Sequence, residues 1–527
     1  MLLRRHPREW GPVDWAVAFA LTVLLAALVA FGWRELSGPG RCGDELTEVD
    51  GDCVGVTEYA FDADPALDGL VKDIAAENAR VREGAEREDS EARIPYVRIA
   101  LMMPFTSDDS SAMTTDMIRR ALAGALAAQQ EANSSYGPHY QLLFAPDGRD
   151  MTQWKPVVDR LAELAGDSRA PLVGVTGIPS STDATSDAID ELNKRELPTI
   201  GPVITAADMN APYFFKTSPN NDEFARALKR YLDKRPERRK GFLVWDNRTE
   251  DVYSRNLKEV YEKHFGDTYE LADRNSNFTG SSGRDQGIPN RFTDAAEKIC
   301  RYKSDTVFFA GRDQDLPSFV KRLAQEGDCG RSTTLRILKV GIGIEPTLTA
   351  KEPTRRLQEI DATIVNASSV DPDWWSGRSS PDRPAALDRF LARYEKLVDQ
   401  HDLGDKELDD GYTLMYHDAF TLLSDAVDRT YSEINEDGQG TTAARDLPMS
   451  GDIYNTLRLP TISAGQCDNC LIGAAGTYGF EGPEQNQQWS VCKPVPIVEH
   501  PTVRREPDDV LPLYRTFRGD AENACRT

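Results

Sequence analysis

From Tyr96 onward the apolar residues fall by turns into short unbroken runs and into segments with a 3.6-residue period. The pattern predicts a strand over Tyr96–Met103 and a helix over Thr115–Ala132, with Met117, Ala121, Leu122, Ala125 and Leu126 on one face. A strand over Tyr140–Phe144, a helix over Trp154–Ala165, a strand over Pro171–Val175, a helix over Ser181–Arg195 and a short strand over Pro198–Ile200 follow. After Lys216–Asn221 the alternation restarts. Helices are predicted over Asp222–Asp233, Tyr253–Phe265, Arg291–Tyr302 and Leu316–Glu326, and strands over Gly241–Trp245, Thr306–Ala310, Leu335–Val340 and Ala362–Asn366. Long helices over Pro384–His401 and Gly411–Glu433 precede a Gly/Pro-rich tail with a late strand near Val495–Val498. Repeated strand–helix alternation is the signature of parallel sheets with helices on both faces, so the chain reads as α/β: two doubly wound lobes in series.

The N-terminal end breaks this pattern. Val13 to Trp33 is an apolar run whose only charge is Asp14, preceded by Arg4, Arg5 and Arg8. As a helix it would be about 31 Å long, close to the ~30 Å thickness of a bilayer's hydrocarbon. We therefore expect one transmembrane helix at 13–33, a cytoplasmic segment at 1–12 and an extracytoplasmic main body in a cell membrane. A cleaved signal peptide is the competing reading, with Ala27 and Ala30 near a cutting site. Between 34 and 95 lies a spacer. Within it Leu67, Leu70, Val71, Ile74 and Val81 recur at helical spacing, an amphipathic helix that packs on the following domain or pairs with another chain.

Hydrophobic residues make up 40% of the 527 positions, enough for real cores, and the net charge of -24 disfavours nucleic acid as a partner. All eight cysteines lie after the apolar run, which in an oxidising compartment reads as four disulfides. Cys42–Cys53 and Cys300–Cys329 are the local pairings, leaving Cys467, Cys470, Cys492 and Cys525 to pair among themselves; a redox or zinc role for Cys467 and Cys470 is the alternative. The six histidines form no metal-binding spacing, and no P-loop, G-x-G-x-x-G or G-x-S-x-G occurs. We expect no metal, no cofactor and no catalytic residue.

The most informative stretch is Val175-Thr-Gly-Ile-Pro-Ser-Ser-Thr182. A strand ends, and a hydroxyl-rich turn opens a helix whose N-terminus favours negative charge. The same hydroxyls could simply cap the helix.

Here the order of segments resembles the type I periplasmic binding proteins, especially the branched-chain amino acid receptors that feed ABC transporters. The resemblance runs from about Tyr96 to His500 and rests on Ile99–Phe105, Gly174–Asp187, Pro198–Thr205, Tyr213–Thr217, Val252–Leu257, Val307–Gly311, Tyr416–Phe420, Gly476–Phe480 and Lys493–Val498. It implies two lobes joined by three crossovers that close on a small ligand: 96–218 and 371–450 for lobe 1, 219–370 and 451–500 for lobe 2, with 501–527 a tail. By position it assigns Ser180, Ser181, Thr182 and Thr205 to the ligand's carboxylate. It assigns Tyr253, Arg312 and Asp313 to the second lobe's side of the cleft, and Thr106 to the cleft rim. Where the family's amino acid binders carry an acidic residue, this chain reads Gly341-Ile-Gly343, with Glu345 slightly late, and Arg312 would suit a more anionic ligand. Trp374 and Trp375 cap the cleft or pack a hinge. The expected function is a membrane-anchored solute-binding protein for ABC-type uptake, its partners a small molecule and a permease. The alternatives are a ligand sensor acting through a partner protein and a cleft enzyme.

Overall fold

A computed structural model of the protein describes residues 41–517 apart from 88–92, 109–110, 237–238, 281–290, 328, 331–332, 378–379, 381, 436–445, 460–461, 464–465, 468–469, 481–487 and 503–512. The expected segments 1–12 and 13–33, most of the 501–527 tail and Cys525 lie outside the described residues. Among those described, no helix is long and apolar enough to cross a membrane.

The alternating runs assemble into two sheets. In the first the strand order is Leu471–Gly473, Gly476–Phe480, Gln488–Val491, Phe214–Lys216, Thr199–Gly201, Leu172–Thr176, Tyr96–Met103, His139–Pro146. In the second it is Ile497–His500, Ala362–Ala367, Leu335–Val340, Thr306–Ala310, Gly241–Asp246, Asn275–Phe278. Pairing is parallel except where the late strands Leu471–Gly473, Gly476–Phe480 and Ile497–His500 join. Each sheet has a core on both faces, which is why its central strands run mostly apolar rather than alternating with polar residues. In Tyr96–Met103, Ile99 and Leu101 enter one core with Leu122 and Phe420, while Ala100 and Met102 enter the other with Val158 and Ile189. The second sheet divides likewise, Phe308 and Leu338 facing Phe224 and Tyr261, Val307 and Ile337 facing Phe319 and Ile299.

The chain passes between the sheets three times: between Lys216 and Asn221, after Ala367, and between Val491 and Ile497. The boundaries differ from expectation in two places. Helix Ser450–Leu457 and strands Leu471–Gly473, Gly476–Phe480 and Gln488–Val491, expected in lobe 2, belong to the first lobe: Ile453 and Leu457 enter its core, and Gln488 and Trp489 pair with Phe215 and Lys216. Sequence such as Gly476-Thr-Tyr-Gly-Phe480 carries no period that says which sheet it joins. The expected spacer is also part of the first lobe. Helix Asp68–Ala85 buries Leu70, Val71 and Ile74 in the core that holds Ile99 and Leu101, and Asp73 bonds His401 at 2.9 Å. The strand Asn275–Phe278 was not expected, because Asn-Ser-Asn-Phe lacks an apolar run.

Among the described residues the outer strand His139–Pro146 has no neighbouring strand beyond it, yet its backbone at Tyr140, Leu142 and Phe144 is satisfied. The Asn133 side chain exchanges two hydrogen bonds with Tyr140, the Asn78 side chain two with Leu142, and the Thr57 backbone two with Phe144, all at 2.7–3.1 Å. Two asparagine amides thus do the work of a missing strand. The disulfide Cys42–Cys53 ties the hairpin Leu46–Val49/Asp52–Gly55 on this side, and Cys300–Cys329 is the second local bridge. Cys470 and Cys492 are also disulfide-bonded.

Candidate functional site

Parallel strands deliver their C-terminal ends to one edge of a sheet, and the two edges here face each other across a cleft. Its empty volume, open mouth included, is about 660 Å³, within the ~300–1,000 Å³ usual for small-molecule sites.

On the first lobe, strand Leu172–Thr176 ends at Gly177, whose φ of +98° suits glycine and whose Cβ would lie 2.8 Å from Leu101 Cδ1 and 2.9 Å from the Met102 carbonyl oxygen. The sharp turn carries Ser180 and Ser181 into the cleft wall beside Pro179, with Thr205 and Val203 from the next strand's end. Ser180, Ser181 and Thr205 are all buried, and their hydroxyls make no hydrogen bond among the described residues. Thr182 does a different job. It N-caps helix Asp183–Lys194, its hydroxyl accepting from the Thr185 N–H, and it does not line the cleft.

On the second lobe Arg312, which follows the end of strand Thr306–Ala310, donates to Asp251 Oδ2 at 2.5 Å and to the Ser181 carbonyl across the cleft at 3.4 Å. Burial alone would raise the Asp251 carboxyl, but the charges of Arg312 and Arg248 outweigh it and hold it below the ordinary range. The guanidinium charge is therefore already compensated, and the expectation that Arg312 favours a more anionic ligand loses its basis. Tyr253 packs its ring 5.7 Å from Arg312, and its hydroxyl is spent on the Val340 carbonyl at 2.8 Å. Asp313 pairs with buried Lys339 at 3.0 Å.

Glu345 stands apart from these pairs. It is 5% exposed, lines the cleft and has no ion-pair partner among the described residues. Burial, reinforced by the charges of Asp313 and Asp410, pushes its carboxyl up to about 7. Asp410 is compensated by Arg120 at 2.7 Å, Arg120 also holding Glu407. The close seating of this wall requires Gly343, where a Cβ would meet the Asp409 carbonyl oxygen at 2.2 Å.

The structure thus brings Ser180, Ser181, Thr205, Tyr253, Arg312 and Asp313 to one cavity. Thr106 is not there; its hydroxyl bonds Asp52 of the N-terminal hairpin at 2.6 Å, because that hairpin covers the loop after Met103. Trp374 is buried in the first lobe's core and Trp375 donates to Asp409, so neither caps the cleft. Gln314, Asp410 and Tyr412 escaped the sequence reading. The signal for the last two was Asp410-Gly411 at the start of a long helix, Gly411 having φ of +77°.

No family model matches the chain, and no curated protein does. Solved structures do. A leucine-binding protein of Thermotoga maritima superposes with a TM-score of 0.52 at 16% identity, covering 79% of this chain and 100% of its own. The fold is that of a type I periplasmic binding protein. The branched-chain amino acid substrate-binding protein of Streptococcus pneumoniae, solved with isoleucine, gives 0.51 at 14% identity over 76% of this chain and 95% of its own. A solute-binding protein of Rhodopseudomonas palustris BisB5, solved with 3,4-dihydroxybenzoic acid, gives 0.52 at 13% over 76% and 92%. These likenesses concern the fold; Ser180, Ser181 and Thr205 are placed in the cleft by this chain's own geometry.

Proposed function

We propose that this protein is an extracytoplasmic solute-binding protein, held at a cell membrane by the apolar run 13–33, which closes two lobes on a small carboxylate-bearing ligand for uptake through an ABC permease. The observation that carries the reading is the asymmetry of the cleft. Three buried, unbonded hydroxyls from Ser180, Ser181 and Thr205 sit by a helix N-terminus and face a wall where every charge except that of Glu345 is compensated. A carboxylate satisfies the hydroxyl end; a donor or amine at the other end of the ligand satisfies Glu345. Contacts from both lobes to one ligand shift the open–closed equilibrium toward closure. That the fold's solved examples include complexes with isoleucine and a dihydroxybenzoate agrees with a small carboxylate.

Thermal unfolding of the oxidised full chain against amino acids, aliphatic and aromatic carboxylates, amides, sugars and nucleosides tests this. One selective carboxylate at about 100 times its Kd adds about 2.7 kcal/mol to stability. Ser181→Ala should then weaken that ligand by about tenfold, the worth of a hydrogen bond to a charged group. A panel without a hit, or a carboxylate consumed rather than held, overturns the proposal.

A further inference from the structure

The crossover between Val491 and Ile497 is not a single strand of chain. Residues 513–517 run beside it: Pro494 and Val495 pair antiparallel with Arg515 and Tyr514. The Cys492 N–H donates to the Thr516 carbonyl at 2.8 Å and the Thr516 N–H to the Lys493 carbonyl at 2.9 Å. The Thr516 hydroxyl donates to the Ser490 carbonyl at 2.8 Å, at the end of the first sheet's strand Gln488–Val491, and accepts from the Lys493 N–H at 3.0 Å. This same segment is anchored on the second lobe. Tyr514 is buried with Phe224, Leu228 and Val495, and its hydroxyl donates to Glu223 of helix Asn221–Asp233 at 2.6 Å. Arg230 lies 5.5 Å from the Tyr514 ring and Arg226 5.8 Å from the Phe517 ring.

We propose that residues 513–517 are a hinge strap, which doubles this crossover into a two-stranded ribbon, fixes it to both lobes and restrains their opening. A lone connecting segment absorbs lobe rotation through a few backbone dihedrals. Here those dihedrals belong to a hydrogen-bonded ribbon, so opening must strain or break the bonds of Thr516 or pull Tyr514 from its seat. The inference goes beyond solute binding and does not depend on what the cleft binds.

Amide hydrogen exchange on the full chain without ligand tests it, because two amides report lobe closure directly: Tyr253 donates to the Ser181 carbonyl at 3.2 Å and Asp183 to the Glu250 carbonyl at 3.4 Å, each across the cleft. In Tyr514→Ala the Cys492 amide and these two reporters should exchange at least tenfold faster, with the strands Tyr96–Met103 and Gly241–Asp246 unchanged. Tyr514→Phe, which keeps the ring and loses only the bond to Glu223, should shift the same amides by a smaller factor, and it carries the test if the alanine variant does not fold. Faster exchange at Cys492 with Tyr253 and Asp183 unmoved would make the segment local packing and overturn the proposal. So would an equal rise in every strand, which is general destabilisation.

Discussion

Glu345 is the residue whose chemistry the cleft leaves unfinished. Its folded carboxyl titrates at about 7, against an ordinary 4.5. A raised acid binds its proton more tightly folded than unfolded, so its contribution to stability is present below pH 4.5 and is lost as pH rises toward 7. Glu345→Gln should therefore leave stability unchanged below about pH 4.5 and raise it at pH 8 by up to about 3 kcal/mol, measured by denaturant unfolding at both pH values. A ligand amine paired with Glu345 should bind more tightly as pH rises through 7 and the carboxyl ionises, read by titration calorimetry at pH 5 and pH 8. Three hydroxyl residues that line the cavity were legible in the sequence: Ser180 and Ser181 as a hydroxyl-rich turn at a strand end, and Thr205 through the resemblance alone. The compensation of Arg312 was not, since Asp251 meets it only through tertiary packing. Thr106 misled for the same reason: nothing in the sequence links it to Asp52, which occupies its hydroxyl.

Among elements, helix Thr115–Ala132 packs closely on helix Tyr412–Asn435. A Cβ on Gly124 would lie 2.0 Å from the Thr413 carbonyl oxygen and 3.1 Å from the His417 nitrogen. Both are backbone atoms in a helix and cannot step aside as a side chain would. Gly124→Ala should cost at least 1–3 kcal/mol, the range for overpacked cores, read as a lower urea midpoint at unchanged slope. This glycine was invisible to periodicity, which places it among apolar neighbours without revealing that another backbone lies against it. The helices and most parallel strands themselves were legible, since each is a run of one period, and the late strand expected near Val495–Val498 appears as Ile497–His500; Leu471–Gly473 and Gly476–Phe480 were not, their Gly-bearing residues having no period to read.

For the molecule as a whole, hydrogen bonds join the two lobes across the cleft. Besides the cross-cleft amides, Gln314 reaches from the second lobe to the Ser111 carbonyl at 3.0 Å. Removing that bond with Gln314→Ala should enlarge the open fraction. Apparent affinity for the identified solute should fall by about three- to tenfold, the competent state being less populated, with the Tyr253 amide exchanging faster. Cleft and lobes were foreseeable from two alternating segments in series. The apolar spacing of Leu67, Leu70, Val71 and Ile74 pointed to a helix packed on the following domain or paired with another chain, the first of which the structure shows. The strap was not foreseeable, because a segment as short as 513–517 declares no docking partner.

The asparagine amides along His139–Pro146 have a further consequence, for solubility. Asn78 sits on helix Asp68–Ala85, and Thr57 on the chain leading to it, so a version of the protein beginning at Tyr96 would bare the backbone of Leu142 and Phe144. An uncovered strand is a template for another copy. Such a shortened protein is expected to sediment as oligomers that grow with concentration, where the longer chain does not, and the segment before the first lobe acts as a guard against self-association.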